Sequence, residues 1–278
     1  MRKTLFTLLV SMLIFFLLQA GCEKRTVRTS ETDWDAVKAI ISQYPSVFAL
    51  GFFDTEADTL FYREITQSDA DIEAGTLSVA DSLHFFDYIT LIWGDSLKGK
   101  FHYRFNGKSY EKPITSIALT NAYFEKWGDN YDPYRGWLFK QFGGTVIHSV
   151  GATRVLSTVN VVSDGMDTTF SQTVLQRLVK KDSILVLGKG KSVTFTVEPL
   201  TDTSDFFFLH VKEGEVYQKI PFTNNGDGTL SAGWTTTSDP DPTQHYFHAI
   251  VDVVSRESVA DTIAEYDSKA WGIIYQIE

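Results

Sequence analysis

The sequence predicts an α+β unit, one helix followed by a curved antiparallel sheet, joined to an all-β sandwich. Three observations carry that prediction. Across residues 33–44 the apolar residues Trp34, Val37, Ile40, Ile41 and Tyr44 recur at the three-to-four spacing of an amphipathic helix, until Pro45 ends it. Residues 86–127 alternate apolar and polar side chains instead, as half-buried strands do. From residue 183 onward, short apolar runs recur about every ten residues between turn residues, the rhythm of a small β-sandwich.

Composition agrees with a packed, β-rich body. Hydrophobic residues make up 43% and aromatic residues 14%, including 21 Phe, which argues against disorder. The formal charge of −10 supplies no basic face for a phosphate backbone, so nucleic acid is not an expected partner.

The chain opens on Arg2 and Lys3, an apolar run over residues 5–18, the small pair Ala20-Gly21, and then Cys22, the single cysteine of 278 residues. That run is shorter than the about 20 residues a spanning helix needs and fits a secretory signal. With the cysteine directly after the small pair, residues 1–22 resemble a bacterial lipoprotein signal, although Gln19 stands where such signals usually carry an aliphatic residue. The resemblance implies lipidation of Cys22 and a lipid-anchored place in the bacterial cell envelope, facing periplasm or exterior. Ordinary secretion with a spare thiol, or a plain membrane anchor, is the alternative. Loss of Arg2 and Lys3 with the leader would take the charge from −10 to −12. One cysteine permits no intramolecular disulfide, so stability must come from packing.

Residues 23–32 are polar and aperiodic and read as a tether, to which Lys24, Arg25 and Arg28 belong. The α+β unit is expected over residues 33–150. Thr32 or Asp33 caps its helix, and residues 46–65 read as a short second helix giving way to a strand. Three strand runs follow, divided by Gly94-Asp95 and by Asn106-Gly107, the latter a pair that tight hairpins prefer. Phe101, Tyr103 and Phe105 share one face and Lys100, His102 and Arg104 the other. Residues 136–144 supply a fourth strand. This element order resembles the cystatin-like cone of the nuclear transport factor two superfamily.

Residues 151–182 are expected to connect the units, with a strand at 154–163 that either crosses or begins the next unit, and a short helix within 169–183. The sandwich is expected over residues 183–278. Residues 226–234 and 266–275 resemble a module of bacterial cell-envelope lipoproteins that pair an N-terminal α+β domain with an immunoglobulin-like one. Framework cysteines are absent, so the immunoglobulin-like likeness concerns architecture only. That family has no assigned activity, and the resemblance implies no catalytic residues.

The stretch richest in binding chemistry is residues 127–137, where Trp127, Tyr131, Tyr134, Arg135 and Trp137 gather in one loop. Flat rings beside Asp and Arg can stack on sugars or grip a partner protein, so an envelope protein or carbohydrate is the expected partner. Alternatively, Tyr131, Tyr134 and Trp137 cap the open end of the cone, with Arg135 paired to Asp129 or Asp132. His245 and His248 lie three apart on a strand and point to opposite faces, so they cannot share an ion, and Tyr246 between them is expected to serve structurally at the strand's start. Residues 224–229 alternate Asn and Asp oxygens but lack the distal Glu of a calcium loop and read as a hairpin turn. The two Asp-Pro steps within residues 238–244 read as a stiff surface loop. No nucleophile elbow, phosphate-cradling glycine loop or zinc-binding histidine pair is present. His102, the nearest acid/base candidate, falls on the wet face. The expectation is a non-catalytic, membrane-anchored envelope lipoprotein without cofactor or metal; the runner-up is a small-ligand or enzymatic cone.

Overall fold

The computed structural model describes residues 32–50, 54, 60–80, 84–199, 204–212, 217–241 and 243–278. Cys22 and the leader lie outside the described residues.

Helix α1 (Asp33–Ile41) starts where the sequence indicates, on a capping box: the Thr32 hydroxyl accepts from the Asp35 amide at 3.1 Å, and the Asp35 carboxylate accepts from the Thr32 amide at 2.9 Å. It buries Ala36, Val37, Ile40 and Ile41, and each of the larger three stabilises the fold by about 1.5–3 kcal/mol. A single turn, α2 (Pro45–Phe48), follows. Strand β1 (Phe61–Ser78) pairs with β2 (Tyr88–Phe105), β2 with β3 (Lys108–Lys126), and β3 with β4 (Trp137–Ser149), all antiparallel. Asn106 and Gly107, at φ 49° and 75°, make the tight β2–β3 turn. Gly94-Asp95, expected as a break, lies inside β2. Gly94 pairs with both Asp71 and Leu119, and the buried Asp95 carboxylate accepts from the Ser68 hydroxyl at 2.7 Å, so neither residue needs to leave the ladder.

The stretch expected to connect two units is itself sheet. Strands β5 (Leu156–Ser163) and β6 (Met166–Ser171) precede the one-turn α3 (Gln172–Leu175), β7 (Val179–Lys180) and β8 (Leu185–Leu187). They are followed by β9 (Ser192–Pro199), β10 (Phe206–Val211), β11 (Gln218–Pro221), β12 (Thr223–Asn224), β13 (Leu230–Thr235), β14 (Phe247–Val254), the short α4 (Arg256–Ala260) and β15 (Ser268–Ile277). The smaller sheet runs β12-β13-β9-β5-β6, and the larger runs β1-β2-β3-β4-β15-β14-β10-β11. Pairing is antiparallel in both, apart from the parallel contact of β8 with β15.

The chain is thus mostly β, in two sheets, and a sizeable N-terminal helix-plus-sheet domain is not evident among the described residues. Instead β4 pairs with β15 over Thr145–Gly272 to His148–Lys269, so one sheet continues from the first half of the chain into the second. The cause lies in β15, whose residues Ala270 to Tyr275 are buried without alternation. Such a strand needs cover on both faces. Trp271, Ile273 and Tyr275 enter the sandwich core with Phe195, Leu209 and Val251, while Ala270 and Ile274 face the other way, toward Leu50, Ile147, α1 and Phe142. On that second face the large sheet curls until its two edges touch, where the Lys219 ammonium of β11 donates to the Phe61 carbonyl of β1 at 2.9 Å. Phe101 and Tyr103 point into the curl and His102 out of it, as alternation requires.

Candidate functional site

The aromatic loop leaves β3 and returns into β4 through a strained turn. Trp127 and Gly128 amides both donate to the Gly136 carbonyl, at 2.9 and 3.3 Å. Tyr134, Arg135 and Gly136 are all left-handed, at φ 53°, 54° and 76°. For Tyr134 and Arg135 that region costs about 1–2 kcal/mol each. Gly136 is required twice over, since a Cβ there would also lie 2.4 Å from the Gly128 backbone.

Asp33, the first residue of α1, holds this turn. One of its carboxylate oxygens accepts from Arg135 Nε at 2.8 Å, Trp137 Nε1 at 3.0 Å and Lys126 Nζ at 3.2 Å. Burial alone would raise the Asp33 carboxyl, but these donors, Arg135 foremost, outweigh it and keep the group below its ordinary range. The Arg135 guanidinium thus pairs with Asp33 where Asp129 or Asp132 was expected, and its amide donates to the Asp132 carbonyl at 2.9 Å. Those two aspartates shape the turn instead: Asp132 accepts from the Asp129 amide at 2.9 Å and Asp129 from the Tyr131 amide at 2.7 Å.

The five loop residues separate into different roles. Trp137 is 1% exposed and belongs to the core around α1, and Arg135 braces the turn. Trp127 and Tyr131 are 55% and 59% exposed. The Trp127 indole lies against the Phe86 ring at 4.4 Å and the Lys140 ammonium at 4.2 Å, and donates to Glu125 at 2.8 Å. Tyr134 accepts a hydrogen bond from Gln43 at the end of α1.

Trp127 and Tyr134 border a cleft of about 590 Å³ between α1, β4 and β7. Along its floor, β4 has no strand partner on this side before Gln141, where β7 begins, so the main chain over residues 138–140 presents an open edge among the described residues. Tyr44 and Phe139 form an apolar wall, and the Lys181 ammonium stands 5.2 Å from both ring centres. Lys140 and Lys180 add positive charge; Glu125 and Asp182 oppose part of it. Sequence reasoning missed Tyr44, Lys140, Lys180 and Lys181, because they come from three separate elements and carry no common motif.

A second cluster of charges is buried on the curled face. The Arg63 guanidinium donates to both Asp252 oxygens at 3.0 and 2.8 Å, to Asp54 at 2.7 Å, and to the Tyr266 hydroxyl. His210 Nε2 lies 3.4 Å from Asp252, and the Lys219 ammonium 3.7 Å from Asp54. Side chains of Asp54 and Asp252 are 1% and 0% exposed, and the two fixed cations that match them, Arg63 and Lys219, are themselves largely buried. Burial would raise the Asp252 carboxyl, yet Arg63 and then His210 hold it low; burial pushes the Tyr266 hydroxyl up to about 12. This arrangement stitches β1, β10, β11 and β14 together and ties them to Tyr266, just before β15.

No family model, curated protein or solved structure matches the chain. Geometry alone must therefore assign the remaining sequence candidates. His102 stacks on Tyr62 at 4.5 Å and bonds Glu64 at 2.8 Å on the outer face. His245 is exposed while His248 is buried, and among the described residues no group of three or more His, Cys, Asp or Glu could hold a metal. Tyr246 packs edge-on against Phe142 beside the start of β14. Residues 224–229 form a turn with Gly226 and Gly228 at φ 82° and 93°, closed by Asn225 donating to the Thr229 carbonyl. No helix among the described residues is long and apolar enough to cross a membrane.

Proposed function

We propose that the chain is a non-catalytic binding protein of the bacterial cell envelope, lipid-anchored through Cys22, whose cleft beside α1 receives an extended peptide segment of another envelope protein. The observation that carries this reading is the open edge of β4 at residues 138–140, flanked by Tyr44, Phe139 and Tyr134 and by three lysines. An unpaired strand edge offers main-chain hydrogen bonds to an added strand, and the walls beside it select side chains. The Arg63–Asp252 cluster is buried and serves the interior, and no turnover is assigned to it or to His102, which is tied to Glu64 on the outer face. The second half is read as immunoglobulin-like. Counting β5, β9, β10, β11, β13, β14 and β15, the first, second and fifth share the smaller sheet and the others the larger, as in that architecture, with β6 and β12 added at the two edges of the smaller sheet.

Photo-crosslinking from position 138 in living cells tests the reading, with the exposed Val162 of β5 as the control position. Crosslinks to an envelope protein from 138 and not from 162 support it. Crosslinks from neither, or retention of a carbohydrate in place of a polypeptide, overturn the peptide assignment; hydrolase turnover lost in His102→Ala overturns the non-catalytic one.

A further inference from the structure

Exposed apolar side chains are not spread evenly. Of the fourteen large hydrophobic residues exposed among those described, seven sit at one end of the larger sheet: Leu77, Val79, Phe85, Trp127, Tyr131, Tyr134 and Leu138. Register places them together. Ser78, Tyr88, Glu125 and Leu138 form one row across β1 to β4, so the end of β1, the β1–β2 connection and the 127–136 loop all project beyond the same row. Phe85 is 86% exposed, and its neighbour Phe86 backs Trp127. Of the remaining exposed apolar residues, Val174 and Val186 line a separate cleft beside β8, and others, such as Val150, Val162 and Ile263, come from separate stretches of the chain, as is ordinary on a protein surface.

The chain also enters the fold at this end. Asp33, at the start of α1, is bonded to Arg135 of the loop. Thr32 is ten residues from Cys22, and ten residues of fully extended chain reach on the order of 35 Å at most. An acyl chain on Cys22 would therefore hold Thr32, and the loop bonded to its neighbour Asp33, within that distance of the bilayer. The residue types fit that neighbour: Trp and Tyr favour the headgroup level, where an amphipathic ring meets both phases, and Lys140, whose ammonium lies 4.2 Å from the Trp127 ring, brings a positive charge suited to lipid phosphates to the rim.

We infer that the rim of Phe85, Trp127 and Tyr131 seats on the surface of the lipid bilayer, so that the anchored protein stands with its cleft opening beside the membrane. This inference rests on the anchoring of Cys22 for its geometry and on the exposed rim for its chemistry, and the two can be tested separately. The full chain is reconstituted in phosphatidylcholine vesicles with or without bromine on the acyl chains, and tryptophan emission is read. Trp127 is the most exposed of the described tryptophans, so seating appears as a blue shift and as quenching by bromine, both lost in Trp127→Phe. Cys22→Ser with residues 1–21 removed lacks both the acyl chain and the apolar leader and, with excess vesicles, should retain the quenching at a weaker lipid affinity, and Phe85→Ser with Tyr131→Ser should weaken it further without changing the circular dichroism. Quenching of a protein whose mass shows no lipid on Cys22 would keep the seating and discard the anchor. Bound, lipidated protein whose Trp127 emission ignores bromine would overturn the seating and leave the anchor standing, as would an emission change produced by a peptide or oligosaccharide but not by vesicles.

Discussion

Replacing Arg63 by Met tests the buried network most directly, because Met fills a similar space and removes the charge. In the native fold Arg63 is the hub for two carboxylates whose side chains are 1% and 0% exposed. Removing one partner of a single buried pair costs about 3–5 kcal/mol, since the abandoned ion stays out of water. Here two ions lose their main partner, while Lys219 at 3.7 Å and His210 at 3.4 Å soften the loss, so about 4–5 kcal/mol is expected. The pH dependence gives the test its discrimination. Native Asp252 has a depressed pKa, so its contribution is present above the unfolded carboxylate pKa and fades as pH falls through the folded one. Without Arg63, burial should dominate and raise the carboxyl, so the variant pays for a buried charge at pH 7 and is relieved of it on acidification. Urea unfolding at pH 7 and pH 5 should therefore show a deficit that shrinks at the lower pH. A deficit below about 1 kcal/mol, the scale of an exposed pair, or one unchanged between the two pH values would refute the reasoning.

Three further outcomes can be checked on the same protein. His248 is buried, its Nε2 has no hydrogen-bond partner among the described residues, and desolvation lowers it from 6.5 to about 3. Because the unfolded chain binds that proton first, stability falls as pH drops below 6.5, by about 2 kcal/mol at pH 5, and His248→Phe should flatten this limb in melts across pH 7 to 5. Asp33→Ala frees Arg135, Trp137 and Lys126 at once and should cost about 2–3 kcal/mol, with faster amide exchange over residues 127–137 as the accompanying signature. Gly136→Ala places a methyl group against Gly128 and should lower the thermal midpoint by several degrees, whereas Gly107→Ala, with open space around its Cβ and only its positive φ to strain, should lower it less.

Much of this architecture was legible where one physical signal dominated. The capped, amphipathic α1 and the Asn106-Gly107 hairpin are local, and the sequence around them needs no distant partner to be understood. Strand β1 was hidden beyond residue 65 because its remaining residues are largely exposed and polar, with little hydrophobic alternation to detect. The pairing of β4 with β15 joins residues more than a hundred positions apart, and its one local clue was the unbroken apolar run at Ala270 to Tyr275, which asks for cover on two faces. At the cleft, the loop announced itself through its aromatic residues, but which of them would face outward depended on Asp33, whose part in the loop nothing in residues 127–137 reveals. Trp127 and Trp137 look alike in the sequence; one lies in the core and the other at the rim.

The shared strand boundary between the two halves has a meaning for how such a protein can be taken apart or recombined. Strand β15 is the last of the chain and yet lies in the interior of the sheet order, flanked by β4 and β14. A fragment ending after Ser149 would leave β4 with a bare edge, and a fragment beginning there would leave the other side of β15 bare. Gly272 bears on the choice too, because a Cβ there would lie 2.8 Å from Leu50 Cδ1, the end of a buried side chain that would have to shift. The two halves are therefore not beads that can be exchanged on a string: a foreign C-terminal module would be accepted only if its own final strand arrived in register with β4 and was small enough, or Leu50 yielding enough, at the position of Gly272.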